Sequence, residues 1–429
     1  MRALSCSTAA LVLFAASARA ETPPSPSDDA VAQLKEQLAA LQQQVAALSE
    51  RIDALQAAPP TPTPPMPTAP PEAAAAPGPQ AAPTAAVPAG AAGAEGPAGA
   101  LPVYGGAAAA SKVFNPDISA IGDFLGAIGK SPGGGEPSLE LHEAELGFQA
   151  VVDPYARADF FFTYGPDEIG VEEGFISFPT VPGGLLLKVG KMRDVFGKVN
   201  GMHNHVLPFT DRPLVTKNLT GGEDGLSDAG ISLSRLIPNP WLFLEATGQV
   251  YRGENEVFAA PTRGDLSYVG HLRAYRDVSE SSNLDVGGSF AYGHNDSGPD
   301  ATTRLFGVDA TFRFRPLRRA IYKRFLARTE LVWSHRQQPD GEHSAFGYYA
   351  SAEYQFARRW FAGARFDWSE RAAEPFTDKG GSALLTYWPS EFSQIRGQYR
   401  HTRFGEGRTA DEFLFQFLFS IGAHGAHAF

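Results

Sequence analysis

Glu412-Phe413-Leu414-Phe415-Gln416-Phe417-Leu418-Phe419-Ser420 sets a phenylalanine at every second position. Successive side chains of an extended strand point to opposite faces. Phe413, Phe415, Phe417 and Phe419 therefore share one face, and Leu414, Gln416, Leu418 and Ser420 share the other. The same two-residue period recurs upstream. In 302–315, Phe306, Val308, Ala310, Phe312 and Phe314 oppose Asp309, Thr311, Arg313 and Arg315. In 359–369, Trp360, Ala362, Ala364, Phe366 and Trp368 oppose Arg365 and Asp367. In 392–403, Ile395, Gly397 and Tyr399 oppose Gln394, Arg396, Gln398 and Arg400. One such strand suits a soluble antiparallel sheet equally well. A long series of them suits an apolar-out, polar-in wall around water.

The series runs through the whole C-terminal part of the chain. Strands are expected near 114–125, 138–152, 155–164, 169–179, 184–192, 226–236, 241–251, 265–277, 283–293, 302–315, 321–336, 343–356, 359–369, 379–388, 392–403 and 411–421. The connections alternate in length. Asp153-Pro154, Pro182-Gly183-Gly184, Pro238-Asn239-Pro240, 279–282, 316–319, Ala357-Arg358 and Pro389-Ser390 read as tight turns. Longer connections lie at 126–137, 193–225, 252–264, 294–301, 337–342, 370–378 and 404–410, with 165–168 as a short exception. Transmembrane barrels have short periplasmic turns and longer external loops. The expected fold class is thus an all-β transmembrane antiparallel barrel of about sixteen strands over 113–429, with both termini in the periplasm of a Gram-negative cell.

Three other segments precede it. Residues 1–20 start with Met1-Arg2, continue through an apolar stretch and end on Ala18-Arg19-Ala20, the pattern of a secretory signal peptide. The only cysteine, Cys6, lies within it, so the exported chain is expected to carry no disulfide and no thiolate metal site. Residues 29–57 hold Val31, Leu34, Leu38, Leu41, Val45, Leu48, Ile52 and Leu55, an a/d heptad seam that predicts a periplasmic coiled coil. The alternative is one amphipathic helix docked on a globular partner. Residues 58–112 are an Ala/Pro-rich flexible linker, a spacer and not a fold. Loss of Arg2 and Arg19 with the signal would take the net charge from −11 to −13. That balance gives no support to nucleic-acid binding.

The stretch 141–214 resembles the phosphate-selective porin O/P family and related outer-membrane porins. The resembling residues are Leu141-His142-Glu143-Ala144-Glu145-Leu146-Gly147-Phe148, the run 155–164, Val171-Glu172-Glu173-Gly174-Phe175-Ile176, Gly184-Leu185-Leu186-Leu187-Lys188-Val189-Gly190-Lys191 and Phe196-Gly197. The resemblance implies a homotrimer of 16-stranded barrels. It carries over no phosphate-binding residue. The terminal Phe429 resembles the signal read by the barrel assembly machinery, although 422–428 interposes small residues and histidines.

The function expected is passive diffusion of small hydrophilic solutes, with anions as the finer expectation and outer-membrane lipid around the barrel. The rival reading is a structural anchor whose coiled coil tethers the barrel to the cell wall or a periplasmic partner. The connection 193–225 is the longest, and in trimeric porins such a third loop narrows the lumen; an outward cap or subunit latch is the alternative. Pore-lining or constriction candidates are Lys188, Arg193, Lys198, Arg212, Lys217, Arg313, Arg365, Arg396 and Arg400. Arginine is the natural partner of an oxyanion. No catalytic residues and no cofactor are expected: there is no Gly-x-Ser-x-Gly elbow, and His343-Ser344 are strand neighbours that face opposite ways. Met202-His203-Asn204-His205 offers two imidazoles, and two ligands do not make a metal site.

Overall fold

The computed structural model describes residues 116–132, 137–165 and 169–422. The expected signal peptide (1–20), coiled coil (29–57) and linker (58–112), and Phe429, lie outside the described residues. Within them stand sixteen strands: β1 (Asp117–Lys130), β2 (Glu140–Asp153), β3 (Ala156–Tyr164), β4 (Ile169–Val181), β5 (Leu185–Arg193), β6 (Ser227–Leu236), β7 (Phe243–Tyr251) and β8 (Ser267–Ser279). They continue as β9 (Ser282–His294), β10 (Thr302–Phe314), β11 (Arg324–Gln338), β12 (Gly341–Ala357), β13 (Trp360–Glu370), β14 (Thr377–Ser390), β15 (Ser393–Arg403) and β16 (Thr409–Gly422). Each pairs antiparallel with its chain neighbours, and β1 closes on β16 from Ser119↔Gly422 to Lys130↔Asp411. Closure leaves no sheet edge with unpaired backbone groups, the condition for crossing lipid as strands.

The side-chain alternation sorts as the sequence period requires. On β16, Phe413, Phe415, Phe417 and Phe419 face outward, while Glu412, Leu414, Gln416, Leu418 and Ser420 are buried on the inner face. Elsewhere Phe306, Val308, Phe366 and Tyr399 are exposed outside, against Asp309, Thr311, Arg365, Asp367, Arg396 and Gln398 inside. Aromatic residues collect at the strand ends. Trp360 and Tyr387 lie 4.6 Å apart at one rim, and Trp333, Phe346 and Trp368 cluster towards the other. Amphipathic rings at two levels are what a lipid–water boundary selects.

Two connections depart from the expected length pattern. The expected tight turn at 316–319 is the longer connection 315–323. After Pro316 the backbone makes successive turns, with Arg319 N bonding Pro316 O and Tyr322 N bonding Arg319 O, instead of rejoining the sheet. Conversely, the expected long connection 337–342 is a hairpin in which Gln338 pairs with Gly341. Gly341 adopts φ +135°, open to a residue without Cβ, and this lets the strands extend to a tight reversal.

Candidate functional site

Between β5 and β6 the chain leaves the wall for residues 194–226 and runs through the lumen. Asn200 clasps the two ends of this loop. Its Nδ2 donates to Asp194 O (2.9 Å) and Leu226 O (2.8 Å), and its Oδ1 accepts from Leu226 N (2.8 Å). Gly197, at φ +61°, makes the first reversal. A Cβ there would lie 1.9 Å from Glu330 Oε1 on β11, so a larger residue would have to push that carboxylate aside as well as take up a left-handed backbone. Glu330 then accepts hydrogen bonds from Lys198 N (3.3 Å) and Val199 N (3.2 Å), and Gly197 N donates to Ser289 Oγ on β9 (2.9 Å).

Apolar packing seats the loop. Phe196, Val199, Met202, Leu207 and Phe209 are buried together with the inward-facing Leu305, Val332 and Tyr349. Apolar side chains inside a polar-in barrel are anomalous until the loop is seen lying on them. A short helix, Leu214–Leu219, buries Val215 and Leu219 against β11–β14. The loop therefore crosses the lumen; it is not an outward cap.

At β2–β4 the loop meets carboxylates. His203 Nδ1 lies 2.7 Å from Glu145 Oε2, and Nε2 lies 2.8 Å from Glu173 Oε2. Glu172 Oε2 is 3.4 Å from Nδ1, while its Oε1 accepts from Arg193 Nη2 at 2.6 Å. Adjacent residues Glu172 and Glu173 would ordinarily face opposite ways. The β3–β4 register shifts here, with Phe161 opposite Glu173 and Phe162 opposite Val171, so Glu172 is the extra residue of a bulge and both carboxylates turn to the loop. Burial alone would lower the His203 pKa. Glu172 and Glu145 outweigh it and hold the imidazole well above an ordinary histidine.

At β13–β16 the loop meets arginines, and the charge pattern inverts. Asp211 receives both Arg365 Nη2 contacts (3.1 and 3.0 Å) and Arg400 Nη1 (2.9 Å). Gln398 Nε2 donates to the same carboxylate at 2.5 Å. Arg365 also binds Asp367 Oδ2 (2.7 Å) and lies over the Phe209 ring, 4.5 Å from its centroid. Arg400 shares Glu412 Oε2 at 2.5 Å. Burial would raise the Asp211 pKa, yet Arg365 and then Arg400 hold it below the usual carboxylate range.

The other basic candidates divide by partner. Lys198 Nζ binds Asp285 Oδ2 at 2.9 Å, and Arg313 Nη1 lies 3.7 Å from the same oxygen. Lys188 Nζ sits 4.6 Å above the Phe175 ring. Lys217 is exposed on the short helix. Arg396 donates to neutral oxygens: Leu207 O (2.9 Å), Gln416 Oε1 (2.8 Å) and Thr386 Oγ1 (3.2 Å). Gln416 in turn grips Asp123 of β1. Arg212, 1% exposed, donates to Val199 O, Met202 O and Asn204 Oδ1. Burial and the neighbouring Arg193 charge bring its pKa down to about 9. The structure thus brings Arg365, Arg400 and Arg396 to the loop from the wall, places Arg193 at the end of β5 where the loop begins, and makes Arg212 a residue of the loop itself.

Sequence reasoning assigned no site role to Glu143, Glu145, Glu172, Glu173 or Asn200, whereas Glu330 was expected among the acidic groups facing the lumen arginines. The available signal for two of them was spacing: residues two apart, as Glu143 and Glu145 are, share one face of a strand.

No known family model matches this chain. An uncharacterised protein of Aquifex aeolicus (strain VF5) is 30% identical over 385 residues, spanning 74% of this chain and 81% of the relative. Among solved structures, the anion-selective porin from Comamonas acidovorans gives a TM-score of 0.50 at 9% identity, covering 71% of this chain and 99% of that one. The outer membrane channel DcaP of Acinetobacter baumannii gives 0.49 at 11%, covering 72% and 96%. At such identity the likeness to the Comamonas protein is one of fold.

Proposed function

We propose that this chain, which belongs to the same family as the uncharacterised Aquifex aeolicus protein, is an outer-membrane porin passing small hydrophilic solutes by diffusion. The observation that carries the reading is a closed barrel of sixteen strands, apolar outside, with the loop 194–226 folded across a polar lumen. Barrels of this strand number enclose an aqueous channel, whereas small barrels are filled by their own side chains. An internal loop sets the narrowest section, and its bordering charges bias what passes. The resemblance of 141–214 to the porin O/P family supports the same reading and, with it, a homotrimer.

Selectivity is the finer part of the proposal. Arg365 and Arg400 are largely neutralised by Asp211, Asp367 and Glu412. Arg396 and Arg212 are held by neutral oxygens, so they contribute most of the positive potential at the loop. We infer a weak anion preference set by Arg396 and Arg212, with Arg193 and Arg400 as minor contributors. Single-channel recording of the full-length protein in a salt gradient tests this. The expected result is steady current with a reversal potential on the anion side, moving towards cations when these four arginines become Gln. Clear cation selectivity unchanged by the four substitutions would leave a general diffusion pore. Absence of current from folded protein would favour the anchor.

A further inference from the structure

His203 and His205 gain a third potential ligand that no local motif contains. One ligand atom each from Glu145, His203 and His205 lie within 4.8 Å of one another. Glu145 Oε2 is 2.7 Å from His203 Nδ1 and 3.6 Å from His205 Nδ1. The two imidazole planes are crossed at 87°, with centroids 5.6 Å apart. A second triad, Glu143, Glu145 and Glu172, shares Glu145 and meets the same distance condition. Zinc bonds to nitrogen and oxygen are about 2.0–2.2 Å, so ligand atoms around a tetrahedral ion stand about 3.3 Å apart. The observed separations bracket that value.

Two features beyond the clustering point to a cation. Glu143, 9% exposed, has its Oε2 held by the neutral Asn204 amide, while buried Oε1 has no hydrogen-bond partner among the described residues. A buried carboxylate oxygen left in this way is costly unless something positive meets it. The far nitrogen of His203 already carries the contact typical of a metal-bound imidazole, with Nε2 placed on the Glu173 carboxylate. That contact fixes the ring and leaves Nδ1 as the coordinating atom.

We propose that Glu145, His203 and His205 bind one divalent transition-metal ion of the zinc class, with Glu143 or Glu172 available as the fourth ligand. The ion would replace the proton lying between His203 Nδ1 and Glu145. One M²⁺ enters, the Nδ1 proton leaves to solvent, and nothing is oxidised or reduced. Mixed imidazole and carboxylate donors favour Zn²⁺ over Mg²⁺, which prefers an all-oxygen octahedron. Because His203 and His205 belong to the loop and Glu145 to β2, the ion would fasten the loop to the wall. Binding does not require that the barrel conduct.

The test uses full-length folded protein stripped with EDTA. Zn²⁺ is titrated in competition with a chromogenic chelator, with Mg²⁺ in excess. The expected result is one Zn²⁺ per chain, weakened at least about tenfold by Glu145→Gln and by His205→Ala. His401→Ala, on the exposed end of β15, should bind as the parent does. Substituting Co²⁺ in the unmodified protein gives a readout that needs no variant: a visible d–d spectrum of a four- or five-coordinate site. Lack of stoichiometric Zn²⁺ binding, an octahedral Co²⁺ spectrum, or equal affinity in folded Glu145→Gln would each overturn the proposal. Current recorded with and without Zn²⁺ then asks separately whether the fastened loop alters passage.

Discussion

The loop 194–226 is received by two stretches of wall on either side of β1, and they are electrostatic opposites. At β2–β4 the wall is acidic and the loop supplies His203. At β13–β16 the wall is rich in arginine and the loop supplies Asp211. Each loop residue carries the sign opposite to the wall groups it meets, so the two ends cannot exchange places without setting like charges together. Buried pairs of this kind are weak sources of net stability, because desolvation offsets attraction, but losing one partner leaves a charge stranded. Charge complementarity here selects one loop path, while Phe196, Val199, Leu207, Phe209 and the wall residues Tyr349 and Val332 supply the apolar burial that holds it.

Asp211→Asn should break the comparison most severely. It takes the shared carboxylate from Arg365 and Arg400, whose side chains are 1% and 12% exposed, and leaves each with one acidic partner, Asp367 or Glu412. The expected cost is about 3–5 kcal/mol of loop or barrel stability. Released guanidinium charge should move the reversal potential towards anions and raise current noise. His203→Gln is the matching break at the other end, measured without added metal. Losing charge-assisted contacts to Glu145 and Glu173 should cost about 1.5–3 kcal/mol and shift selectivity towards cations. If both variants moved selectivity in the same direction, the opposed-wall account would fail.

Gly197→Ala perturbs the entry to the loop and spares both ends. The φ of +61° alone costs an L-residue about 1–2 kcal/mol, and the contact with Glu330 adds to it. A lowered melting temperature with little change in reversal potential is the expected pair of readings. The smallest effect should come from acid. Asp211 has a depressed pKa, so its stabilising contribution is complete above the ordinary carboxylate value and is lost only as pH falls through the lower folded value. Lowering pH to about 4 should therefore leave the arginine-side contact ionised. Protection of loop amides from hydrogen exchange, followed across that range, checks it: early loss of protection near Thr210 and Asp211 would show that the two arginines do not control this carboxyl.

Much of the barrel was legible because strand periodicity is local. Phe413 to Phe419 declare one face and Leu414 to Ser420 the other by backbone geometry alone, and β16 obeys. Turn positions were less legible at 316–319 and 337–342, where proline and glycine chemistry admits either a reversal or a longer excursion. The length of 193–225 and its mixed charges were visible, as were the individual candidates Arg365, Arg396 and Arg400. Their partners were not. Arg365 meets Asp211 across 154 residues, and His203 meets Glu145 across 58.

Local chemistry along the chain was enough to specify a strand-built wall, which side chains face in and out along most of it, and one long connection between the fifth and sixth strands. Tertiary structure alone decided where that connection lies, which charges neutralise one another, and that Glu172 and Glu173 point the same way. The physical reason is range. Alternation follows from one residue's geometry relative to the next, whereas the pairing of loop and wall charges requires the barrel to close, its registers to be set and a bulge at Glu172 to turn a neighbouring side chain inward.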